Sequence, residues 1–284
     1  MKGIVVLNKP KNWTSRDAVN KVRNILHTRE IGHMGTLDPQ GEGVLLIGVG
    51  KATRLFDAML KKDKVYRAHF TFGYETDTLD GDGVIIRDGG TIPTLEEIDR
   101  IIPSLLGKVD QIPPLYSAKN INGERAYDLA RRGVEFTLKS AKVEIFSIKV
   151  IEQTSPNTFY FEIHCSAGTY IRSICRDIAY ALGTYATMTS ITRIRAGKFT
   201  IEQALTIEEV EKLGEKALIP LEDALIDYPK YCVDSSLYTK LSNGVKLKIN
   251  DAPEGLFTVY CNDELFGLGS IVDGILKIGT YLKD

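Results

Sequence analysis

Cysteine is scarce and scattered in this chain. Four residues, Cys165, Cys175, Cys232 and Cys261, stand far apart, and no two form a C-x-x-C pair. That spacing lacks a metal-ligand pattern and favours reduced core thiols in a cytosolic protein over a disulfide framework. No apolar run is long enough for a membrane-spanning helix. The stretch from Met1 to Pro10 is too short an apolar run for a signal peptide and reads as a strand. There is no Walker motif, no G-x-G-x-x-G unit and no metal spacing, so no cofactor and no metal are expected. An excess of positive charge is also missing. Lys and Arg total 36 against 37 Asp and Glu, for a net charge of −1. Taken alone, that balance argues mildly against a nucleic-acid partner.

What is present is the composition of an ordinary globular protein, with 284 residues, 43% hydrophobic and 26% charged. One large domain, or a large one plus a small one, is expected. The charge is segregated. Lys51, Arg54, Lys61, Lys62, Lys64 and Arg67 form one basic group, and Arg172, Arg176, Arg193, Arg195 and Lys198 a second. The stretch from Glu202 to Asp227 is acidic. One basic face opposite an acidic one would give this pattern, and so would solvated helices.

Helices and strands alternate along the chain. Ser15 is placed to cap a helix carrying Ala18, Val19, Val22, Ile25 and Leu26 on one face. Lys64 to Tyr74 alternates cleanly, which puts Tyr66 on the apolar side with Ala68, Phe70 and Phe72. Thr94-x-x-Glu97 and Thr206-x-x-Glu209 are capping boxes. Val143–Val150 and Phe159–Cys165 flank a turn and predict a hairpin. Thr169 is placed to cap a helix that stops at Gly183. Leu221 to Pro229 reads as a linker to a small β domain with turns at Asn243-Gly244, Glu254-Gly255 and Asp273-Gly274.

The candidate site lies in Gly32-His33-Met34-Gly35-Thr36-Leu37-Asp38-Pro39. Pro39 removes a donor and pushes Asp38 toward an extended backbone, so the carboxylate sits on a defined loop leading into a buried strand. An Asp-Pro pair is equally a common turn. Arg172, in the first turn of its helix, needs a carboxylate partner, either Asp177 nearby or Asp38 brought close by the fold.

The same stretch resembles the catalytic motif of the bacterial tRNA pseudouridine synthase B family. Gly32, His33, Gly35, Leu37, Asp38, Pro39 and Gly43 stand in register with its G-H-x-G-x-L-D-P pattern, while Gly41-Glu42-Gly43 replaces the Ala-Thr-Gly that often follows. Pro113 to Ala118 is similar to the family's P-P-x-Y-S-A, and Gly168 to Arg172 to its G-T-Y-I-R. The resemblance implies an α+β fold with a mixed, largely antiparallel central sheet flanked by helices. It implies a catalytic domain over residues 1–228 with a thumb-like insertion at about 108–136, and a small PUA-like, β-barrel-like RNA-binding domain over 229–284.

The implied activity is isomerisation of uridine 55 in the T-loop of tRNA, with no cofactor. Asp38 would be the essential carboxylate. Arg172 would keep it ionised and aimed, and Tyr66 would stack on the base and help move a proton. Tyr170 and Ile191 would line the base pocket, and His33 would enter the RNA where the base had been. Lys9, Lys64, Lys119, Arg131 and Arg132 are expected to meet RNA, with the acceptor end of tRNA reaching the C-terminal domain. A cytoplasmic monomer that needs no protein partner is expected. A subunit of a guide-RNA-dependent complex and a non-catalytic RNA chaperone are the alternatives.

Overall fold

The computed structural model describes residues 1–117, 119–121, 123–134, 136–249 and 252–283. Strand β1 (Gly3–Lys9) leads to helix α1 (Ser15–Leu26), then β2 (Ile31–His33) and β3 (Gly41–Val49). A 3-10 turn and α2 (Phe56–Leu60) lead to β4 (Lys64–Phe72), followed by a small ribbon of β5 (Glu75–Thr76) and β6 (Ile85–Arg87). Next come α3 (Leu95–Ile101) and β7 (Gly107–Gln111). An excursion then carries β8 (Asn120–Ile121), β9 (Glu124–Arg125) and α4 (Ala126–Arg131). The long hairpin of β10 (Ala141–Ser155) and β11 (Thr158–Cys165) follows, then α5 (Ile171–Ala181), β12 (Ala186–Ala196) and β13 (Phe199–Thr200).

The central sheet runs β1-β3-β12-β4-β11-β10-β7, with β2 on β3 and β13 on β12. Its pairs are antiparallel except β12 with β3, where Ile191, Thr192 and Arg193 run parallel to Gly41, Glu42 and Gly43. That single parallel join sets Ile191 beside the end of the Asp38 loop. The expected mixed, largely antiparallel α+β fold is the fold observed.

The alternation of β4 holds. Ala68, Phe70 and Phe72 face Phe159, Phe161 and Ile163 of β11, and Ile171, Ile174 and Ile178 of α5 close this core. Each fully buried Phe contributes about 1.5–3 kcal/mol relative to exposure. On the other flank, Ala18, Val19, Val22 and Leu26 of α1 pack on Val5, Leu7, Leu45 and Ile47. Both capping boxes form as read, opening α3 and α6 (Ile207–Leu213).

Four local expectations change. Thr14, not Ser15, caps α1, in a reciprocal capping box with Asp17. The Ser15 hydroxyl is instead spent on Leu37. Tyr170, not Thr169, is the cap residue of α5, because the Thr169 hydroxyl turns back to the Ser166 carbonyl. The excursion leaves the sheet after Gln111 rather than at Lys108, since Lys108 to Gln111 pairs with β10. Leu221 to Pro229 is no free linker. It begins with α7 (Leu221–Ala224), and Leu221, Ala224 and Leu225 are buried at helical spacing.

Beyond it, β14 (Lys230–Cys232), α8 (Tyr238–Ser242), β15 (Leu247–Lys248), β16 (Gly255–Cys261), β17 (Glu264–Val272) and β18 (Ile275–Tyr281) form a small unit. Its five strands run β14-β16-β17-β18-β15. Tyr260, Leu265, Leu268 and Leu282 share a core with Ile4, Leu46 and α7, so this sheet is packed onto the larger domain.

Candidate active site

The loop from Gly35 to Pro39 is held carbonyl by carbonyl. Arg193 donates to Gly35 at 3.2 Å and to Thr36 at 3.4 Å, and its Nε reaches Val44 at 2.7 Å. The Ser15 hydroxyl both donates to the Leu37 carbonyl and accepts from the Leu37 amide, each at 2.9 Å. The Asp38 carbonyl accepts from Gly41 N at 2.9 Å, and Pro39 accepts from Asn12 N at 2.8 Å. Five consecutive carbonyls are therefore satisfied, and the side chain of Asp38 is left half-exposed on a fixed backbone.

Gly43 follows from this packing. Its φ is +95°, and a Cβ there would stand 2.3 Å from the Arg193 carbonyl oxygen. The parallel join of β3 and β12 requires a glycine at this position.

Arg172 is the charge centre. Its side chain is 8% exposed, and it makes four hydrogen bonds. Nη2 donates to Asp38 Oδ2 at 3.0 Å and to the Tyr116 carbonyl at 3.1 Å. Nη1 donates to the Thr78 carbonyl at 3.0 Å and to Asp80 Oδ2 at 3.1 Å. The partner is thus Asp38 and not Asp177, which pairs with Arg176. Asp80 also accepts from the Thr78 hydroxyl at 2.6 Å and from Asp82 N at 3.2 Å. Burial pushes the Asp80 carboxyl up, while Thr78 and Arg172 pull the other way. Gln40, two residues past Asp38, donates to Asp82 Oδ1 at 2.6 Å. A ring of contacts therefore links the Asp38 loop, the turn from Thr78 to Asp82 and Arg172.

Two cavities meet at Asp38. One, of about 580 Å³, is lined by Gln40, Asp80, Asp82, Tyr116, Tyr127 and Arg131. The other, of about 420 Å³, is lined by Lys64, Tyr66, Ser117, Lys119, Tyr170 and Arg193. Asp38, Arg172, Met188 and Ile191 belong to both. Tyr66, Tyr170 and Ile191 are thus brought together around Asp38. Burial pushes the Tyr66 phenol up, partly countered by Arg193. The Tyr170 backbone is clamped by the Gln111 amide, which accepts from its N–H at 2.8 Å and donates to its carbonyl at 3.1 Å.

Other residues land elsewhere. His33 is on β2 and lines neither cavity. Burial first, and then Arg193, lowers its pKa, so the ring is neutral at pH 7. Lys9 and Lys64, expected at the RNA surface, are buried at 0% and 5% exposure. The Lys9 ammonium donates to the carbonyls of Pro10, Trp13 and Pro39. That of Lys64 donates to the carbonyls of Leu60 and Lys62. Ammonium groups committed to backbone in this way do not present themselves to a phosphate, and burial lowers both to about 8.

Lys119 lines the smaller cavity while donating to the Lys139 carbonyl at 2.9 Å. Arg131 is exposed at the larger one, over the Tyr127 ring, and Arg132 is exposed but paired with Glu124. Asp80, Gln111, Met188 and Arg193 join the site without a motif that singles them out in the sequence. The usable signal was Asp80 itself, a carboxylate in a Gly-rich turn of a chain whose Arg172 wants partners.

The N-terminal domain model of the TruB family pseudouridylate synthases matches residues 23–171, and the tRNA pseudouridylate synthase B C-terminal domain model matches 172–226. The tRNA pseudouridine synthase B of Clostridium kluyveri is 39% identical, covering 98% of both chains. That of Clostridium tetani is 38% identical, covering 99% of this chain and all of its own. Among solved structures, a Cbf5-Nop10-Gar1 complex matches with a TM-score of 0.73 at 26% identity, over 95% of this chain and 78% of that one. An H/ACA RNP bound to substrate RNA shares the fold at a TM-score of 0.75 and 22% identity, over 99% of this chain and 85% of that one. The fold and site define a pseudouridine-forming isomerase. The chain belongs to the TruB family of pseudouridylate synthases.

Proposed function

We propose that this enzyme converts uridine 55 in the T-loop of tRNA to pseudouridine with Asp38 as the essential carboxylate. One observation carries the assignment of Asp38. Its carboxylate stands half-exposed where two cavities meet, on a backbone held at every carbonyl and 3.0 Å from a buried guanidinium. The names of the relatives support tRNA as the substrate.

The reaction breaks the N1–C1′ bond, turns the ring and joins C5 to C1′. C5 gives up a proton and N1 gains one, so no redox partner or group donor is consumed. The carboxylate acts as nucleophile or base beside C1′. Arg172 aims it, and the shared guanidinium keeps Asp80 from approaching as an unpaired second charge. Tyr66, Tyr170 and Ile191 hold the detached ring in the smaller cavity, and the Tyr66 phenol, protonated at neutral pH, assists proton transfer from C5. Flipping the base out costs a few kcal/mol of unstacking, so the loop must be gripped elsewhere. Arg131, Arg132 and Lys119 on the thumb-like excursion supply cations for phosphates, and His33 takes the vacated place in the RNA. The C-terminal sheet, with Lys240, Lys246 and Lys248, meets the acceptor end in the manner of a PUA-like domain. The enzyme works as a cytoplasmic monomer without protein partners.

The purified chain should be incubated with a free T-arm hairpin and pseudouridine read at each position. Conversion confined to the position equivalent to 55 is expected. Conversion only after a guide RNA or protein is added would place it with complex-dependent enzymes instead.

A further inference from the structure

Buried polar groups without partners are rare in folded proteins, and each one asks for a reason. Among the described residues, three side-chain atoms are buried with no hydrogen-bond partner: His33 Nδ1, Glu75 Oε2 and Ser117 Oγ. Glu75 is already held through its other oxygen by Arg87 and Tyr180. His33 lines neither cavity at Asp38. Ser117 lines the cavity that also contains Asp38, Tyr66, Tyr170 and Ile191.

The backbone around Ser117 is pinned. Its N–H donates to the Leu115 carbonyl at 3.1 Å, and its carbonyl accepts from Tyr127 N at 3.0 Å. The preceding carbonyl, of Tyr116, accepts from Arg172 Nη2. The guanidinium that holds Asp38 therefore also sets the place of Ser117. A hydroxyl carried on a backbone pinned in this way, and left without a partner of its own, is prepared for one that arrives with the substrate.

We propose that Ser117 reads the target base, its hydroxyl pairing with a ring carbonyl of the uracil seated in this cavity. The inference rests on the reading of the cavity given under Proposed function. Uracil presents O2, N3–H and O4, and a serine hydroxyl offers one donor and two acceptor sites. Turning the detached ring about its N3–C6 axis brings C5 to the place of N1. The same turn exchanges O2 and O4. A donor beside one carbonyl before the turn thus meets the other carbonyl after it, and the ring keeps its partner through the isomerisation. An apolar wall at that place would leave a carbonyl unpaired at both stages.

The test uses the whole protein as wild type, Ser117→Ala and Ser117→Thr. Each is given T-arm hairpins carrying uridine, 2-thiouridine or 4-thiouridine at the target, under single-turnover conditions. Melting of each free protein is recorded alongside. Ser117→Ala should slow uridine conversion by about three- to ten-fold, as loss of one hydrogen bond does. It should melt no lower than wild type, because it removes an unpaired buried hydroxyl. Ser117→Thr, which keeps the hydroxyl, should stay closer to wild type.

Sulfur is a weak acceptor, so the ratio of wild-type to Ser117→Ala rates should shrink for at least one thio-substituted RNA. The intrinsic effect of sulfur cancels in that ratio. A wild-type rate for Ser117→Ala, an identical ratio for all three RNAs, or slowing accompanied by a lower melting temperature would each overturn the proposal. If wild type itself converts no uridine, the tRNA reading falls and Ser117 with it. The other outcomes all require an active wild type, so the two failures are distinct.

Discussion

Arg172 and Asp38 stand 134 positions apart in the chain, yet their side chains meet at 3.0 Å. The same guanidinium meets Asp80 at 3.1 Å. One buried cation therefore serves two carboxylates of unlike exposure, the Asp80 side chain at 15% and that of Asp38 at 50%. The shielded acid anchors the arginine, and the arginine positions the open one.

Arg172→Lys should break this arrangement. A lysine ammonium is a point charge without the planar fork that reaches both acids and two carbonyls. Single-turnover conversion should fall by about 100-fold, the size of effect that misplacing a reacting group produces. Urea denaturation should show a loss of about 1–3 kcal/mol from acceptors left unpaired in the interior. Near-wild-type turnover would contradict the positioning role of the guanidinium.

Gly43→Ala tests the backbone beneath the loop. The φ of +95° and the 2.3 Å approach to the Arg193 carbonyl leave no room for a methyl group. Stability should fall by about 2 kcal/mol or more. Because the strain falls on the strand that fixes the loop, activity should fall with it. Thermal denaturation and turnover check both, and an unchanged melting temperature would show that the β3–β12 join tolerates a side chain.

Lys9 gives a pH-dependent prediction. In the unfolded chain its amine stays protonated to about 10.5, but in the fold only to about 8. Between those values the unfolded chain binds more protons, so this lysine's contribution to stability rises with pH through the window. Below pH 8 the cost of burying the charge is fully present. Wild-type stability relative to Lys9→Met should therefore rise by about 3 kcal/mol from pH 8 to 10.5. Taking the difference removes the buried cysteines and tyrosines, whose raised values act in the opposite sense. Denaturant titrations at several pH values provide the measurement, and a flat difference would mean that the Lys9 amine is not desolvated.

Much of this could be read from local pattern. The period-two alternation of Lys64–Phe72 placed Tyr66 on the inward face, and the threonine–glutamate boxes located α3 and α6. These signals are local, and tertiary contacts did not override them. Burial of Lys9 and Lys64 left no such mark, because a lysine reads the same whether its ammonium faces water or three carbonyls. The Asp80–Arg172 contact joins residues 92 positions apart in the chain, and no local pattern marks it. Ser15 and Thr169 stand where position alone predicts helix caps, but a neighbouring residue takes each place while the hydroxyls bond elsewhere. The Leu221–Pro229 segment is short enough to pass for a connection, and only the packed C-terminal sheet shows what its apolar residues bury against.

Tyr66→Phe keeps the ring and removes the phenol. If the hydroxyl moves a proton, the single-turnover rate should fall by about 10²–10⁴-fold, the range for general acid–base groups. Hairpin affinity should be unchanged. A variant that binds weakly but reacts at the normal rate would make Tyr66 a binding residue alone.

The central claim is that Asp38 carries the chemistry. Asp38→Asn keeps size and polarity and leaves an oxygen to accept from Arg172, so the loop should hold its shape. The measurement is pseudouridine formed in a free T-arm hairpin by this variant under single-turnover conditions, with binding of the same hairpin followed in parallel. The expected result is binding retained and no pseudouridine at any position. Pseudouridine formed at the wild-type rate would contradict the account.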